Sequence, residues 1–367
     1  MWKINNTYNF EELTNKFTWL SDMKGVPQDA IYHAEGDVYI HTQMVVEALL
    51  QLEEFKNLPE NEQHLIFAAA LMHDIEKRST TIIDDGRITS PGHAKKGEKT
   101  VRKLLYRAGD TPYVTREYVA KLVRYHGLPI WAIEKPNFEL LLLKTSLSIN
   151  TFHLYILAKA DILGRKCNDQ QDLLDRLGYF KALCQELNCW KQAYPFPSKE
   201  SQFNYFLKED TSRFYEPFKK NDFEVILLSG VPGSGKDTFV KERLKNIPCI
   251  SLDTIRRANK IKPTDKSGNG KVVQIGTEMA RQYLRAKQPF VWNATNITRQ
   301  LRGKLIRLFS DYGAQVKIVY LEVSYIELIK RNKKREHPLP PNVLERMINK
   351  LEPPTPDECS ELEIIEY

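Results

Sequence analysis

Residues 223–240 read FEVILLSGVPGSGKDTFV. A seven-residue apolar run, Phe223 to Ser229, is short enough to be one buried strand. It runs straight into Gly230-Val231-Pro232-Gly233-Ser234-Gly235-Lys236-Asp237-Thr238, after which the pattern turns helical. This is the G-x-x-x-x-G-K arrangement in its required context, between a strand and a helix. Gly230, Gly233 and Gly235 let the backbone wrap closely round phosphate, and the N–H groups of the loop, with Ser234, point inward. The helix start adds favourable partial charge, and Lys236 can bridge the β- and γ-phosphates of a nucleoside triphosphate. The position after the lysine usually carries Ser or Thr for Mg2+. Here it is Asp237, so the hydroxyl role passes to Thr238.

Strands and helices alternate onward from this point. Strands are expected at 248–252, 289–293 and 315–323, and helices at about 235–246, 271–287 and 299–310, with a polar loop at 260–270. Such alternation predicts a mainly parallel sheet covered on both faces. Asp253 follows the second strand, where ligands of parallel sheets bind, and can accept a proton from an attacking hydroxyl. Arg256, one helical turn on, can clamp an acceptor phosphate. The basic stretch 325–335 leads into His337-Pro338 and supplies Arg331 and Arg335 as candidates for a cationic helical lid. Asn293 and Arg299 flank the same crevice and are weaker candidates for positioning nucleotide or metal-bound water.

Towards the N-terminus the texture is different. Apolar residues recur at helical spacing over 41–55, 62–73, 92–106, 115–126, 137–164 and 169–190, and no strand pattern is visible before 190. The chain therefore divides into a helical domain, residues 1–195, an aromatic- and proline-rich linker or interface segment, 196–221, and an α/β domain, 222–367. Of 8 histidines, 7 lie before residue 154, so their density in the helical half needs a chemical reason. His41, the adjacent His73-Asp74, and Asp161 describe a four-ligand metal site assembled from separate helices. His93 and His126 offer ligands to a second ion or donors to phosphate, Lys77 can neutralise substrate charge, and His33 is close enough in sequence to reach the site. His64 and His153 match no motif element and read as structural. Bound metal would lower the pKa of its water for phosphate-ester hydrolysis.

The bulk numbers agree with such an enzyme. Hydrophobic residues make up 42% of 367, charged residues 28%, and the net charge is +7, which favours a polyanionic partner. Mean hydropathy is −0.46, and no apolar run nears the roughly 20 residues of a membrane span, so a cytoplasmic protein is expected. The 5 cysteines form no C-x-x-C pair, which argues against a disulfide framework or a cysteine zinc site, and Cys249 is expected in the core.

With those residues in place, the segments HAEGDVYIHTQMV, LMHDIEK, GHAKKGEKTV, RYHGLP and LAKADILGR together resemble the HD-superfamily metal phosphohydrolases, over roughly residues 25–190. GVPGSGKDT, Asp253-x-x-Arg256 and the arginine lid resemble the P-loop polynucleotide 5′-kinases, over roughly 222–367. Both in this order resemble the bifunctional bacterial HD-domain polynucleotide kinase-phosphatases. The resemblance implies an all-α HD domain followed by an α/β P-loop kinase domain. It further implies ATP or another NTP with Mg2+, a divalent transition metal such as Mn2+, Co2+, Ni2+ or Zn2+, RNA or DNA ends as substrate, and functional coupling to an RNA ligase. The implied reactions are phosphorylation of 5′-OH ends and removal of 2′-phosphate or 2′,3′-cyclic phosphate. Two readings compete: a nucleoside or nucleotide kinase fused to a nucleotidase, and a regulatory protein with one inactive half.

Overall fold

In the computed structural model, helix after helix in the first half is set by local capping and then by burial. The structure describes residues 1–134, 136–208, 210–218, 223–262, 265–335 and 338–367. The expected boundary at 221/222, His337 and part of the 260–270 loop lie outside them. The chain forms two compact units, Met1–Pro195 and Phe196–Tyr367.

In the first unit, Asp37 caps the helix Val38–Gln51 by accepting from Ile40 N at 2.9 Å. Its buried stripe is Val38, His41, Thr42, Val45, Val46 and Leu49, so an imidazole occupies a core position. The helix Glu60–Met72 is buried along Ile66–Met72 and delivers His73 at its C-cap. The helices His93–Ala108 and Tyr113–Tyr125, neighbours in sequence, pack against each other, the first closed by Gly109 at φ 83° and the second ending on His126. The helix Thr151–Leu163, capped by Asn150, carries Asp161. It ends at Gly164, where a Cβ would lie 2.7 Å from the backbone of Val45. That close crossing sets the spacing between the His41 and Asp161 helices.

Two expectations are corrected here. The span 137–164 is two helices, Phe138–Ser146 and Thr151–Leu163, bent by 111° at the break. A β-hairpin also exists before residue 190: β1 (Ile82–Asp84) pairs antiparallel with β2 (Arg87–Thr89). Its strands are three residues long and exposed or half-exposed, so no buried alternation marks them. The turn Asp85-Gly86, with φ 46° and 76°, is the two-residue hairpin signal.

The second unit holds a five-stranded, all-parallel sheet. Its strands are β3 (Phe223–Ser229), β4 (Cys249–Ser251), β5 (Phe290–Asn293), β6 (Ala314–Glu322) and β7 (Glu361–Glu366), in the order β4-β5-β3-β6-β7. One face buries Val225, Leu227, Trp292 and Ile318 against Ile306 and Phe309 of the helix Arg299–Asp311. The other buries Ile226, Leu228, Val291 and Val319 against Phe239 of the helix Lys236–Arg243. The chain thus leaves the neighbouring strands β3 and β5 toward opposite faces, which opens a crevice at their carboxyl ends. The segment 196–221 contains a helix, Lys199–Leu207, whose Phe203 joins the core of this unit. Strand β7 and the helices Leu252–Ala258 and Pro341–Asn349 add to the predicted elements. The second part of the 260–270 loop is helical, because Asp265 caps Lys266–Arg285. Cys249, expected in the core, is exposed on the edge strand β4. Among the described residues no single helix is long and apolar enough to cross a membrane.

Candidate functional sites

Five helices of the first unit, or their C-terminal ends, converge their histidines and aspartates on one point. His41 Nε2 lies 3.1 Å from Asp161 Oδ1 and 3.7 Å from Asp74 Oδ2. His73 Nε2 lies 3.3 Å from Asp74 Oδ2 and 3.4 Å from His41 Nε2. On the other side of Asp74, Oδ1 faces His93 Nε2 at 3.4 Å and His126 Nε2 at 3.9 Å, and those two nitrogens are 3.4 Å apart. The result is two adjoining groups, His41-His73-Asp161 and Asp74-His93-His126, with Asp74 presenting one oxygen to each.

The outward nitrogens decide the tautomers. His73 Nδ1 donates to Ala70 O at 2.7 Å, His93 Nδ1 to Ser90 O at 2.8 Å and His126 Nδ1 to Val123 O at 2.8 Å. A backbone carbonyl only accepts, so each Nδ1 carries a proton, and in the neutral ring each Nε2 presents a lone pair inward. His41 Nδ1 faces another acceptor, Glu35 Oε1, at 2.9 Å. Inward lone pairs in contact repel unless a cation or a proton lies between them. Asp74 Oδ1 is sealed from solvent and has no hydrogen-bond partner among the described residues. Both facts are what a divalent cation would satisfy, so the residues fit a metal, with His41, His73, Asp74 and Asp161 as one ligand set and Asp74, His93 and His126 as a second.

The electrostatics agree. Burial alone would raise Asp74 and Asp161, yet Lys77 beside the first and Arg165 beside the second hold both well below the usual carboxylate range. Burial opposes charge on His73, but Asp74 and Asp161 prevail and raise its pKa. His126 is pushed down to about 3 by burial and by the neighbouring histidines, so it stays neutral.

Each first-half residue named in the sequence as a site candidate meets this cluster, His33 by way of Glu35. Lys77 Nζ is 2.8 Å from Asp74 Oδ2 and donates to Gln28 Oε1 at 2.8 Å. His33 lies one contact outward, its Nδ1 2.8 Å from Glu35 Oε1. Three residues join that sequence reasoning missed. Glu35 ties His33, His41 and the backbone N–H of Lys166 together. Arg165 grips both oxygens of Asp161, at 3.1 and 2.7 Å, and its i, i+4 spacing was the available signal. Gln28 carried no signal. His64 and His153 are held elsewhere, by Tyr8 and by Tyr118 with Glu62.

In the second unit, Gly230, Gly233 and Gly235 take φ of 151°, 94° and 100°. A Cβ at Gly230 would sit 2.6 Å from Ser234 Oγ and 2.8 Å from Leu321 O, so the loop's path requires glycine there. Lys236 Nζ donates to the loop's own carbonyls, Gly230 O at 2.8 Å and Val231 O at 2.9 Å. Burial pulls its pKa down to about 8. Asp237 accepts from Asn293 Nδ2 at 2.7 Å, linking the loop to the end of β5, and Thr238 follows, exposed. Asp253 and Arg256 pair with each other after β4, and Arg256 Nε donates to Asn269 Oδ1 at 3.0 Å. Arg331 comes up to the loop, its Nη1 3.6 Å from where a Cβ of Gly235 would be, and Arg335 is near enough to act electrostatically on Lys236. Arg299 is held by Asp357 and by Thr355. Beside it, Arg302 is fully buried and doubly bonded to Glu358 at 2.8 Å.

Each unit resembles known proteins. The HD domain family matches residues 38–164 and the AAA domain family residues 225–354. The multifunctional CCA protein of Legionella pneumophila (strain Paris) is 33% identical over 107 residues, 29% of this chain and 23% of that protein. The multifunctional CCA protein of Pasteurella multocida (strain Pm70) is 28% identical over 114 residues, 30% of this chain and 25% of that protein. The chain thus spans about a quarter of the length of these curated relatives. Among solved structures, a sugar kinase from Janibacter sp. HTCC2649 is 19% identical, covering 39% of this chain and 85% of its own, with a TM-score of 0.31. A gluconokinase from Sinorhizobium meliloti 1021 is 20% identical, covering 40% and 84%, with a TM-score of 0.30. The helical unit thus matches the HD domain family over 38–164, and the unit with the glycine loop and the parallel five-stranded sheet matches the AAA domain family over 225–354.

Proposed function

We propose that this chain is an end-healing enzyme for RNA, and for DNA where the 5′ end is concerned. The P-loop unit moves the γ-phosphoryl group of a nucleoside triphosphate onto a 5′-OH polynucleotide end. The HD unit removes a 2′-phosphate or opens a 2′,3′-cyclic phosphate at the other end. RNA cleaved through its own 2′-OH leaves these two termini, and joining enzymes need 5′-phosphate and 3′-OH, so an RNA ligase is the natural functional partner. The observation that carries the reading is the coexistence, in one chain, of the Asp74-centred imidazole cluster and a P-loop accompanied by the Asp253–Arg256 pair.

In the HD unit, His41, His73, Asp74 and Asp161 would hold a divalent transition metal, with His93 and His126 at a second position, and when bound it would supply Lewis acidity for hydrolysis of the phosphate ester. Glu35 and Arg165 keep His41 and Asp161 oriented, and Lys77 offers an ammonium to substrate phosphate. In the P-loop unit, Lys236 exchanges two carbonyls for the β- and γ-phosphate oxygens of an NTP–Mg2+ donor. Arg256 turns from Asp253 to an acceptor phosphate, freeing Asp253 to take the 5′-OH proton as the O–P bond forms. Arg331 and Arg335 stabilise charge on the transferring group.

The test offers the full chain γ-labelled triphosphate with a 5′-OH oligonucleotide and with free nucleosides. Labelling of the oligonucleotide is expected. Preferential labelling of nucleosides would replace this reading with a nucleoside kinase fused to a nucleotidase.

A further inference from the structure

A triphosphate cradle disposes of only part of a nucleotide; the base must lie somewhere beyond it. The strand order limits where. Asp253 and Arg256 follow β4, at one edge of the sheet, while β7 forms the other edge, with β3 and its glycine loop between them. Phosphoryl transfer needs the attacking and leaving oxygens roughly in line. With the acceptor on the β4 side, the leaving nucleoside diphosphate extends toward β7. Neighbouring strands are about 4.8 Å apart, so β7, two positions from β3, stands roughly 10 Å across.

An aromatic ring waits there. Tyr367 follows β7, and its backbone N–H donates to Glu322 O at 3.1 Å, continuing the β6–β7 ladder. Its ring reaches back to the loop: a Cβ at Gly235 would lie 3.4 Å from Tyr367 Cε2. The guanidinium of Arg331 stands 5.7 Å from the ring centroid, itself steadied by Glu327 Oε1 at 2.9 Å. Yet the residue is 52% exposed. A large ring fixed at its backbone, touching the phosphate loop and open to solvent, has π surface to offer without further ordering cost.

We infer that Tyr367 is the shelf on which the base of the donor nucleotide stacks. The inference rests on the triphosphate-cradle part of the function proposed above and is independent of what the acceptor is. Stacking on an aromatic ring strengthens binding of a base-bearing ligand and leaves its phosphates unaffected.

The experiment measures dissociation constants of the full chain, with Mg2+, for ATP and for ribose 5′-triphosphate, which lacks the base, by titration calorimetry. The wild type is expected to prefer ATP by roughly tenfold or more. Tyr367→Ala should bring that ratio close to one while binding ribose 5′-triphosphate as the wild type does. Tyr367→Phe should keep the preference. A ratio unchanged in Tyr367→Ala would overturn the shelf, as would equal weakening of both ligands, which would make the ring only a prop for the loop. Thermal denaturation of both variants checks their folding. Failure of the wild type to bind ATP would instead sink the kinase reading itself.

Discussion

His41 and His73 meet nitrogen to nitrogen, Nε2 to Nε2, at 3.4 Å, and both Nδ1 atoms face acceptors. Two lone pairs directed at each other in a buried site are unfavourable, and the carboxylates of Asp74 and Asp161 beside them call for positive charge. A divalent cation held between them, or a proton on His73, removes that repulsion.

Metal should accordingly stabilise the first unit. Adding Mn2+ or Co2+ to chelator-treated protein is expected to raise the melting temperature in a concentration-dependent way. Asp74→Ala removes the carboxylate shared by both groups, so it should abolish the rise. A melting temperature indifferent to metal in the wild type would contradict the site.

The two ligand sets lie in separate units and separate stretches of sequence. Lys236→Ala should abolish NTP-dependent phosphorylation and leave phosphate removal intact, and Asp74→Ala should do the reverse. Parallel end-labelling and phosphate-release assays on folded variants decide; loss of both activities in either variant defeats the assignment.

Gly164 allows the His41 and Asp161 helices to touch, and its obstacle is the Val45 backbone, which cannot swing aside. Gly164→Ala should destabilise the protein by about 1–3 kcal/mol. It should also weaken metal binding, because widening the crossing lengthens the 3.1 Å His41–Asp161 approach. Denaturant melts and metal titration measure the two effects. Weakened stability with unchanged metal affinity would show that the crossing does not set the ligand spacing.

Glu98 gives an acid-sensitive link between the helices His93–Ala108 and Tyr113–Tyr125. It lies 2.8 Å from both Arg102 Nη2 and Lys121 Nζ. Burial works against its charge, but those two cations lower its pKa from 4.5 to about 2. A depressed carboxyl contributes stability that is fully present above the unfolded value and disappears as pH falls through the folded one. Stability should therefore drop from about pH 4.5 toward about pH 2, and Glu98→Gln should lower neutral-pH stability while flattening that acid limb. Identical acid limbs in urea melts of the two proteins would rule this out.

The primary sequence was enough for whatever depends on local spacing. GVPGSGKDT follows a seven-residue apolar strand, and the helical periods of the first half are strong, so a helical unit followed by a parallel-sheet unit could be read directly. The residues His41, His73, Asp74, His93, His126 and Asp161 stood out because so many histidines crowd a helical half. Weak or exposed elements escaped: the hairpin β1–β2 has no buried face, and β7 alternates only between exposed and half-buried positions. Tertiary structure alone decided which oxygen of Asp74 faces which imidazoles, that Glu35 holds His41 from behind, and that Tyr367 lies against Gly235, 132 positions earlier. The reason is physical. Periodicity reports which face of an element is buried, whereas the meeting of particular side chains depends on close crossings such as Gly164 on Val45 and on strand order, neither of which any local pattern encodes.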